Sequence, residues 1–407
     1  MTRLSKRACM VVHSFYPDDP RVRRETEALL GDGWQVDVIC LRGEGEAKHE
    51  DCNGAQVHRL AVRRHRGAGF AIYMLEYMHF FVLASVLLAR LQLKKRFNVV
   101  QVHNMPDFLI YTAAIPKMLG ARLVLDIHDL VPELYGSKFG GKPGHPAIRM
   151  ARWTERRSGA FASQVLTAGE PFRKRLVERG TPADKVTVIM NAADPSLFQA
   201  GKYAKSKAET GKDSFVLMYH GGLFDRYGLD IAIKAVDKLR SQIPGIALHI
   251  YGQGEASADL ARLVNNLGLH EHVLLGGFVP IDGIPALVAA ADLGVVPYRQ
   301  NPFTDLLYPT KAFEYIIMGV PVVMSSTGAV SELFPDVPDM FVPPEDVNAL
   351  ATRILNLYRD PRRLQTLLEA AQRAYAPYAW ENQRERYLAV MRGLLPSARR
   401  IAHLERN

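Results

Sequence analysis

The chain has 407 residues, of which 48% are hydrophobic, so it can form two buried cores and is not a disordered polymer. The formal net charge is +9, and the first 200 residues carry the whole excess, with 29 Lys and Arg against 20 Asp and Glu. This basic half indicates either an anionic partner, such as a membrane surface or a phosphate-bearing substrate, or an ordinary solvated surface. Three cysteines, Cys9, Cys40 and Cys52, are too few for a disulfide framework and predict free thiols in a reducing compartment.

Short apolar runs alternate with amphipathic stretches in the first half of the chain, as is typical of βαβ units and a parallel sheet. The first run, residues 8–12, is too short for a signal peptide and predicts a buried strand. We expect a cytoplasmic protein, with peripheral attachment to the inner face of the membrane as an alternative. Strands are predicted at residues 9–13, 35–41, 57–62, 99–103, 122–128, 164–167 and 186–190, and helices at residues 21–30 and 107–119.

The longest apolar stretch covers residues 70–93 and is interrupted by Glu76, His79 and Arg90. Its longest uncharged run is too short to span a bilayer. Basic residues flank the stretch at 63–66 and 94–96. This pattern predicts a long helix that either lies against a membrane or packs in the core of the first domain.

Residues 199–214 are polar and lack a period, which predicts a domain boundary. We expect a first domain at 1–200, a second domain at 213–376 and a C-terminal helical segment at 377–407 that crosses back to the first domain. Strands of the second domain are predicted at residues 215–219, 247–251, 273–275, 293–296 and 322–324, with helices at 229–241, 258–267, 284–290, 310–318 and 380–395. The fold class is therefore α/β, with two doubly wound Rossmann-like domains that face each other across a cleft, where such sheets bind ligands.

The segment from Tyr308 to Val323 carries the strongest chemical signal. Thr310 and Lys311 lie in the first turn of a predicted helix, where the helix dipole and unpaired N–H groups favour a diphosphate. Glu314 lies one turn later and can accept hydrogen bonds from ribose hydroxyls. The alternative interpretation is a surface ion pair between Lys311 and Glu314.

Two glycine-containing turns follow strands of the second domain. Gly221 and Gly222 let the backbone approach a phosphate, and Arg226 can add charge. Gly252 begins a GxG sequence whose third glycine is replaced by Ser257, which argues against a nicotinamide enzyme. An ordinary tight turn is the alternative for both segments.

Polar residues at the end of the predicted strand 122–128 are candidates for contacts in the first domain. His128 can donate to a sugar hydroxyl or to developing phosphate charge, and Asp129 follows it. A purely structural histidine is the alternative. The chain lacks a DxD sequence, so no metal and no cofactor are expected, and Lys311 and Arg226 are the expected sources of positive charge.

Taken in order, HGGL, LHIYGQGE, ADLGVVPY and PTKAFEY…GVPVV resemble glycosyltransferase family 4, the retaining enzymes of the GT-B fold. Two departures stand out. The family often carries two glutamates seven residues apart; Glu314 matches the second, whereas Leu306 occupies the place of the first. The Arg and Lys that many members carry after the first strand of the second domain fall at Gly222 and Tyr227.

The resemblance implies transfer of a sugar from a nucleotide-diphosphate sugar to a hydroxyl of a glycan or lipid-linked acceptor, without a metal and with retention. It implies catalytic roles for His128, Lys311 and Arg226, donor contacts from Gly221, Gly222, Gly252, Thr310 and Glu314, and acceptor-side contacts from Arg21 and Asp129. An anionic membrane surface is a further expected partner, and a nucleic acid is not. A sugar-nucleotide 2-epimerase and a non-catalytic nucleotide-sugar-binding protein are the alternatives.

Overall fold

The computed structural model describes residues 6–65, 70–139, 144–203 and 214–395. The chain divides into two compact units, and the first combines Met1–Asn191 with Glu381–Asn407 while the second is Ala192–Trp380. The division lies earlier than the expected boundary at residue 200. The amide of Ala193 explains the difference, because it donates to the hydroxyl of Tyr375 at 3.1 Å and so ties this segment to the second unit.

The first unit is built on an eight-stranded sheet with the order β3-β4-β2-β1-β5-β6-β7-β8, parallel except for β3. Its central strands are buried along almost their whole length because helices cover both faces of the sheet. The strands are β1 (Arg7–Phe15), β2 (Gln35–Leu41), β3 (His49–Cys52), β4 (Ala55–Leu60), β5 (Val99–His103), β6 (Arg122–Ile127), β7 (Gln164–Thr167) and β8 (Val186–Val188).

The helices of the first unit lie between these strands. Residues 107–119, expected as one helix, form a 3-10 helix, Asp107–Ala113, followed by one short α-helix. Pro116 lies within that short helix, and proline lacks the N–H that would extend a long α-helix through this segment. The α-helices are α1 (Pro20–Gly31), α2 (Phe70–Lys95), α3 (Ala114–Met118), α4 (Val131–Phe139), α5 (Pro146–Phe161) and α6 (Glu170–Glu178).

The second unit is built on a six-stranded, fully parallel sheet with the order β11-β10-β9-β12-β13-β14. Its strands are β9 (Phe215–His220), β10 (Ile246–Tyr251), β11 (Val273–Gly277), β12 (Leu293–Val296), β13 (Val322–Ser325) and β14 (Phe341–Val342). Its helices are α7 (Leu229–Leu239), α8 (Ser257–Leu267), α9 (Ile284–Ala289), α10 (Thr310–Ile317), α11 (Gly328–Leu333), α12 (Val347–Arg359) and α13 (Pro361–Tyr375).

The last helix, α14 (Trp380–Gly393), packs on the first unit. Tyr387 is fully buried there, and its hydroxyl donates to Gln101 Oε1 at 2.8 Å. The amide of Met190 donates to Gln383 Oε1 at 2.8 Å. The C-terminal segment therefore completes the face of the first sheet that α1 also covers.

The strand order reverses direction once in each sheet, between β1 and β5 and between β9 and β12. At such a switch point the connections leave in opposite directions and open a crevice beyond the carboxyl ends of the strands. His220 ends β9, and Pro297 and Tyr298 follow β12. In the first unit, His103 ends β5 and Asp126 lies near the end of β6.

Candidate active site

The turn after β9 lies directly against the turn after β10, its neighbour in the second sheet. The amide of Gly221 donates to the carbonyl of Tyr251 at 2.9 Å. A Cβ at Gly252 would lie 1.8 Å from the carbonyl oxygen of Gly221, and the φ of Gly252 is +146°. Gly252 was expected to contact the donor. Its packing alone requires a glycine, because any larger residue would prevent the close approach of the two turns.

Lys311 lies beside this turn, in the first turn of α10. Its Nζ donates to the hydroxyl of Tyr298 at 2.5 Å. The same Nζ lies 4.8 Å from the ring centre of Tyr219, 4.9 Å from that of Tyr298 and 5.3 Å from that of Tyr227. Burial lowers the pKa of Lys311, against the opposing effects of Tyr227 and Glu314. Three aromatic rings and a phenol surround the ammonium, and a buried cation in such a surrounding favours an incoming anion.

Arg226 contacts the same aromatic cluster. Its Cζ lies 4.4 Å from the ring centre of Phe224, 4.9 Å from that of Tyr227 and 5.6 Å from that of Phe303. Its Nε is buried and has no hydrogen-bond partner among the described residues. The structure thus brings both expected cations, Lys311 and Arg226, to the ring of Tyr227.

Glu314 lies one turn after Lys311 and approaches the end of β9. Its Oε2 lies 3.3 Å from Nε2 of His220, and only 13% of its side chain is exposed. Burial, together with the charge of Lys311, lowers the pKa of His220 to about 3. His220 is therefore neutral at physiological pH, so the ring beside Glu314 carries no charge.

The segment before α10 contains the position of the missing glutamate. Leu306 ends a 3-10 helix, Thr304–Leu306, and Thr310 begins α10 with Pro309 as its N-cap residue. Asp305 lies next to Leu306, and its buried Oδ1 has no hydrogen-bond partner within the part of the chain that the structure describes. The segment therefore does contain a carboxylate, one position before the expected one.

In the first unit the switch point holds a buried ionic cluster around Asp126. Its two carboxylate oxygens accept from Nε and Nη2 of Arg21, both at 2.7 Å. Its Oδ2 also lies 3.0 Å from Nδ1 of His103. Burial disfavours the charge of Asp126, but Arg21 and His103 hold its pKa well below the usual range.

Arg21 therefore has a different environment from the one expected on the acceptor side. It is only 4% exposed, and its Nη1 donates to the carbonyl of Ile189 at 3.0 Å. With Nε and both Nη atoms engaged within the protein, Arg21 holds Asp126 and the end of β8 in place. Local sequence around Arg21 does not predict this contact, because Asp126 is 105 residues away.

His128 lies at the edge of this cluster. Its Nδ1 is 3.8 Å from Oδ2 of Asp126, and 21% of its side chain is exposed. Burial opposes the charged imidazole, but the Asp126 carboxylate prevails and raises the pKa of His128. The neighbouring Asp129 has its backbone carbonyl bound by Nδ2 of Asn104 at 2.7 Å. His128 is therefore partly accessible and lies beside the Asp126 carboxylate.

His103, Asp126 and His128 place three ligand-type atoms within 4.8 Å of one another. Such a group could hold a metal ion, but the two oxygens of Asp126 already face the guanidinium of Arg21. A second cation at the same carboxylate would be repelled by the guanidinium. The residues of this cluster therefore do not fit a metal.

The aromatic residues around the two cations were not among the site residues predicted from the sequence. Tyr219, Tyr227 and Tyr298 surround Lys311, and the rings of Tyr227 and Tyr298 stack with centres 4.5 Å apart. All three tyrosines follow or end a strand at the switch point, and this position was the signal that could have identified them.

Two family models match the chain: "Glycosyl transferase 4-like domain" at residues 19–192 and "Glycosyl transferases group 1" at residues 214–360. An uncharacterized glycosyltransferase of Methanocaldococcus jannaschii is 24% identical over 88% of this chain and 89% of its own length. The GDP-mannose-dependent alpha-(1-6)-phosphatidylinositol monomannoside mannosyltransferase of Mycolicibacterium smegmatis is 27% identical over 64% of this chain and 70% of its own.

A solved structure of Anabaena HepE in complex with UDP-glucose matches with a TM-score of 0.69 at 18% identity, over 95% of this chain and 99% of that one. The fold is accordingly the GT-B fold. Since the two family models together span most of the chain, the protein belongs to the group 1 glycosyltransferases of the family 4 type and is an enzyme of that class. The resemblance inferred from the sequence is confirmed.

Proposed function

We propose that the enzyme transfers a sugar from a nucleotide-diphosphate sugar to a hydroxyl of a glycan or lipid-linked acceptor, with retention and without a metal. The observation that carries this proposal is the pair of cations, Lys311 and Arg226, around the ring of Tyr227 at the switch point of the second unit. The nucleotide-sugar ligands in the names of the mannosyltransferase and of the HepE complex support the donor class.

The diphosphate would bind between the turn after β9 and the start of α10. Lys311 supplies an ammonium in a water-poor aromatic surrounding, where its interaction with an anion is stronger than in water. Arg226 supplies a second charge, and the first amides of α10 and the Gly221-Gly222 backbone add dipoles directed at the phosphates. These groups would supply the positive charge that a metal provides in other nucleotide-sugar enzymes.

Glu314 would bind the ribose. A carboxylate can accept hydrogen bonds from two vicinal hydroxyls, and Oε2 of Glu314 lies at the end of β9, 3.3 Å from Nε2 of the neutral His220. Thr310 and Gly252 remain proposed donor contacts.

In the proposed reaction the bond between the anomeric carbon and the diphosphate oxygen breaks, and the acceptor oxygen bonds to that carbon on the same face. The hydroxyl proton of the acceptor passes to an oxygen of the departing phosphate, so no protein nucleophile takes part. Lys311 and Arg226 stabilise the negative charge that grows on the leaving group. His128, whose Nδ1 lies 3.8 Å from Oδ2 of Asp126, would donate to the transferred sugar, and Asp129 remains a proposed acceptor-side residue.

Replacing Lys311 by Met tests the donor site. We expect kcat to fall by about 100- to 1,000-fold, since loss of one preorganised charge-stabilising donor has effects of that size.

Glu314→Ala should chiefly raise the KM for the donor, by about tenfold or more, because a hydrogen bond to a charged group contributes about 1.5–3 kcal/mol. Lys234→Met is the matched control, since Lys234 is exposed and pairs with Asp230 on the helix surface.

Steady-state kinetics, the anomeric configuration of the product by NMR, and activity in the presence of EDTA are the measurements. Wild-type turnover of Lys311→Met would remove the donor-site argument. Inversion at the anomeric carbon would contradict the mechanism, and loss of activity with EDTA would contradict metal independence. Conversion of the donor without any acceptor would favour an epimerase, and nucleotide-sugar binding without either reaction would favour a binding protein.

A further inference from the structure

Helix α2 presents an apolar stripe to the surface of the first unit. Its opposite side is packed, with Phe80, Ala84 and Leu88 fully buried. The helix is apolar and long enough to cross a membrane, with a mean hydropathy of 1.7 over its most apolar window. However, a helix that buries one side in the protein can only lie along a bilayer. The outer stripe repeats at helical spacing, with side chains 43% to 71% exposed: Ile72, Leu75, Met78, Val82, Val86 and Leu93.

Two more helices extend this surface. Helix α2 packs against α3 and against the 3-10 helix Asp107–Ala113, which α5 also contacts. The rings of Phe81 and Phe108 lie 6.0 Å apart, and those of Tyr111 and Phe161 lie 4.8 Å apart, so α2 and α5 flank one segment. The crossovers from β4 to β5 and from β6 to β7 run in the same direction along the sheet, which places both helices on one face.

The exposed apolar side chains of the described chain are concentrated here. Of the thirteen large hydrophobic residues that are exposed, eleven lie on α2 and α5 and on α3 with its last cap residue. Besides the α2 stripe they are Ile115, Met118, Leu119, Met150 and Trp153. Surface apolar residues scattered singly are normal, but a collection of this extent marks an interaction site.

The charge of the same three helices has one sign at the surface. Their carboxylates, Glu76 and Glu155, are both buried, at 6% and 1% exposure. The exposed cations lie at the end of α2, on α3 and along α5: Arg90, Lys94, Lys117, Arg149, Arg152, Arg156 and Arg157. In α5 the exposed Trp153 stands among four of these arginines, with its ring 5.9 Å from Cζ of Arg157. Arginine with an amphipathic indole is typical of a helix at a lipid headgroup layer.

These charges argue against a second copy as the occupant. A twofold interface would place the same cationic helices opposite each other, and like charges at close range repel. An anionic lipid surface complements both properties, because the apolar stripe enters the acyl boundary while the arginines meet the headgroups.

We propose that the surface formed by α2, α3 and α5 docks the enzyme onto an anionic phospholipid bilayer. This docking is independent of the transfer reaction. The structure thereby gives the membrane surface expected from the sequence a defined location on one helical layer of the first unit.

The test is flotation of the full chain with vesicles of phosphatidylcholine mixed with phosphatidylglycerol, against vesicles of phosphatidylcholine alone. We expect binding to the anionic vesicles that weakens as salt is added. Leu75→Glu should weaken it by at least about tenfold, because a fully buried leucine contributes about 1.5–3 kcal/mol. Phe278→Glu, at a residue of the second unit that is 67% exposed, is the matched control and should bind as the wild type does.

The charge contribution has its own pair of variants. Arg152→Ala combined with Arg156→Ala should reduce the partition coefficient by about fivefold per arginine, since each basic residue at an anionic surface contributes about 1 kcal/mol. Arg362→Ala combined with Arg373→Ala removes two exposed cations from the second unit and should have little effect.

Trp153 reports the contact directly. Its fluorescence should shift to shorter wavelength with anionic vesicles, and this shift should be absent in Trp153→Phe. Failure of the wild type to float, or equal loss of binding in Leu75→Glu and Phe278→Glu, would overturn the proposal. A dimer in solution that Leu75→Glu dissociates, without vesicle binding, would assign the surface to a second copy instead. Donor hydrolysis in the absence of lipid, measured on the same variants, keeps this outcome separate from a failure of the proposed transfer.

Discussion

Tyr298 is the hydrogen-bond acceptor of Lys311. Its hydroxyl accepts from Nζ at 2.5 Å, and both groups lie in a surrounding that lowers the pKa of Lys311 by burial. Tyr298→Phe removes the oxygen and leaves the ammonium less stabilised, so the pKa of Lys311 should fall further. We expect the basic limb of the pH profile of kcat/KM to move to lower pH, because the protonated lysine is the active form in the proposed mechanism.

Tyr358→Phe is the control for that variant, since Tyr358 lies elsewhere in the second unit and packs on Phe215. A purely structural role of Tyr298 would lower the melting temperature without moving the limb. If the basic limb of the kcat/KM profile is unchanged in Tyr298→Phe, the titration of Lys311 does not cause that limb.

Gly252 should not tolerate a side chain. A Cβ there would lie 1.8 Å from the carbonyl oxygen of Gly221, and the φ of +146° is one that other residues rarely adopt. Gly252→Ala should therefore destabilise the second unit by about 3 kcal/mol or more, or displace the turn after β9. Gly201→Ala, where the added Cβ meets nothing within 4 Å, should be close to neutral. Urea unfolding with and without a nucleoside diphosphate measures the stability of both variants. A Gly252→Ala variant as stable as the wild type would contradict the close approach of the two turns.

The candidate site could be predicted from sequence where its residues are close along the chain. Lys311 and Glu314 share one helix, and Gly221 and Arg226 share one turn, so local spacing sufficed. The bond between Arg21 and Asp126 joins residues 105 positions apart, and no local pattern encodes such a contact. Arg21 was accordingly interpreted as a ligand contact, whereas its donors are engaged within the protein.

At the scale of elements, α14 offers a comparison between a buried and an exposed contact to the first unit. Tyr387 donates to Gln101, which in turn donates to Glu25 Oε2 at 2.5 Å, and all three are buried. Tyr387→Phe leaves Gln101 Oε1 without that donor and should cost about 1–3 kcal/mol. Arg392 also reaches the first unit through Asp32, whose pKa it holds far below the usual range, but its side chain is 45% exposed.

Solvent screens such an exposed pair, so Arg392→Ala should cost no more than about 1 kcal/mol. Urea unfolding measures the loss of stability in the two variants. Hydrogen exchange measures the protection of the first sheet in each of them. A larger loss from Arg392→Ala than from Tyr387→Phe would show that the ion pair, and not the buried hydroxyl, holds α14.

Most elements follow from the sequence because parallel strands covered on both faces are continuous apolar runs. β2, β5, β7 and β12 have the bounds that their apolar runs predict. The sequence of β3, His49–Cys52, is polar, and its side chains are exposed or half-buried at the edge of the sheet. Its position comes from antiparallel pairing with β4, which hydropathy does not encode.

At the scale of the whole molecule, the two units should respond differently to acid. In the second unit, burial with the charge of Lys311 lowers the pKa of His220 to about 3, and burial lowers the pKa of His249. Between the ordinary histidine pKa of 6.5 and these depressed values, the unfolded chain binds more protons than the folded one. Stability is therefore lost as the pH falls through this window.

The first unit contains buried groups whose pKa shifts change its stability in opposite directions as the pH falls. Burial lowers the pKa of His13 to about 4, which acts in the same direction as His220. Burial also raises the pKa of Asp107 to about 6 and, against the opposing charge of Arg179, that of Glu155 to about 8. A carboxyl with a raised pKa binds its proton more tightly when folded, so its contribution to stability increases as the pH falls toward its ordinary value. These carboxyls offset His13.

We therefore expect acidification from about pH 7 to about pH 5 to destabilise the second unit more than the first. His220 alone should contribute about 2 kcal/mol of that loss, since each unit of separation between the folded and unfolded titrations corresponds to about 1.4 kcal/mol. Hydrogen-exchange protection of β9 and β12, compared with that of β1 and β5 at both pH values, measures the difference. His220→Gln should flatten the response of the second unit while leaving that of the first unit unchanged. An equal loss in the two sheets would contradict the opposing contributions of Asp107 and Glu155, because His13 and His220 alone would weaken both units in parallel.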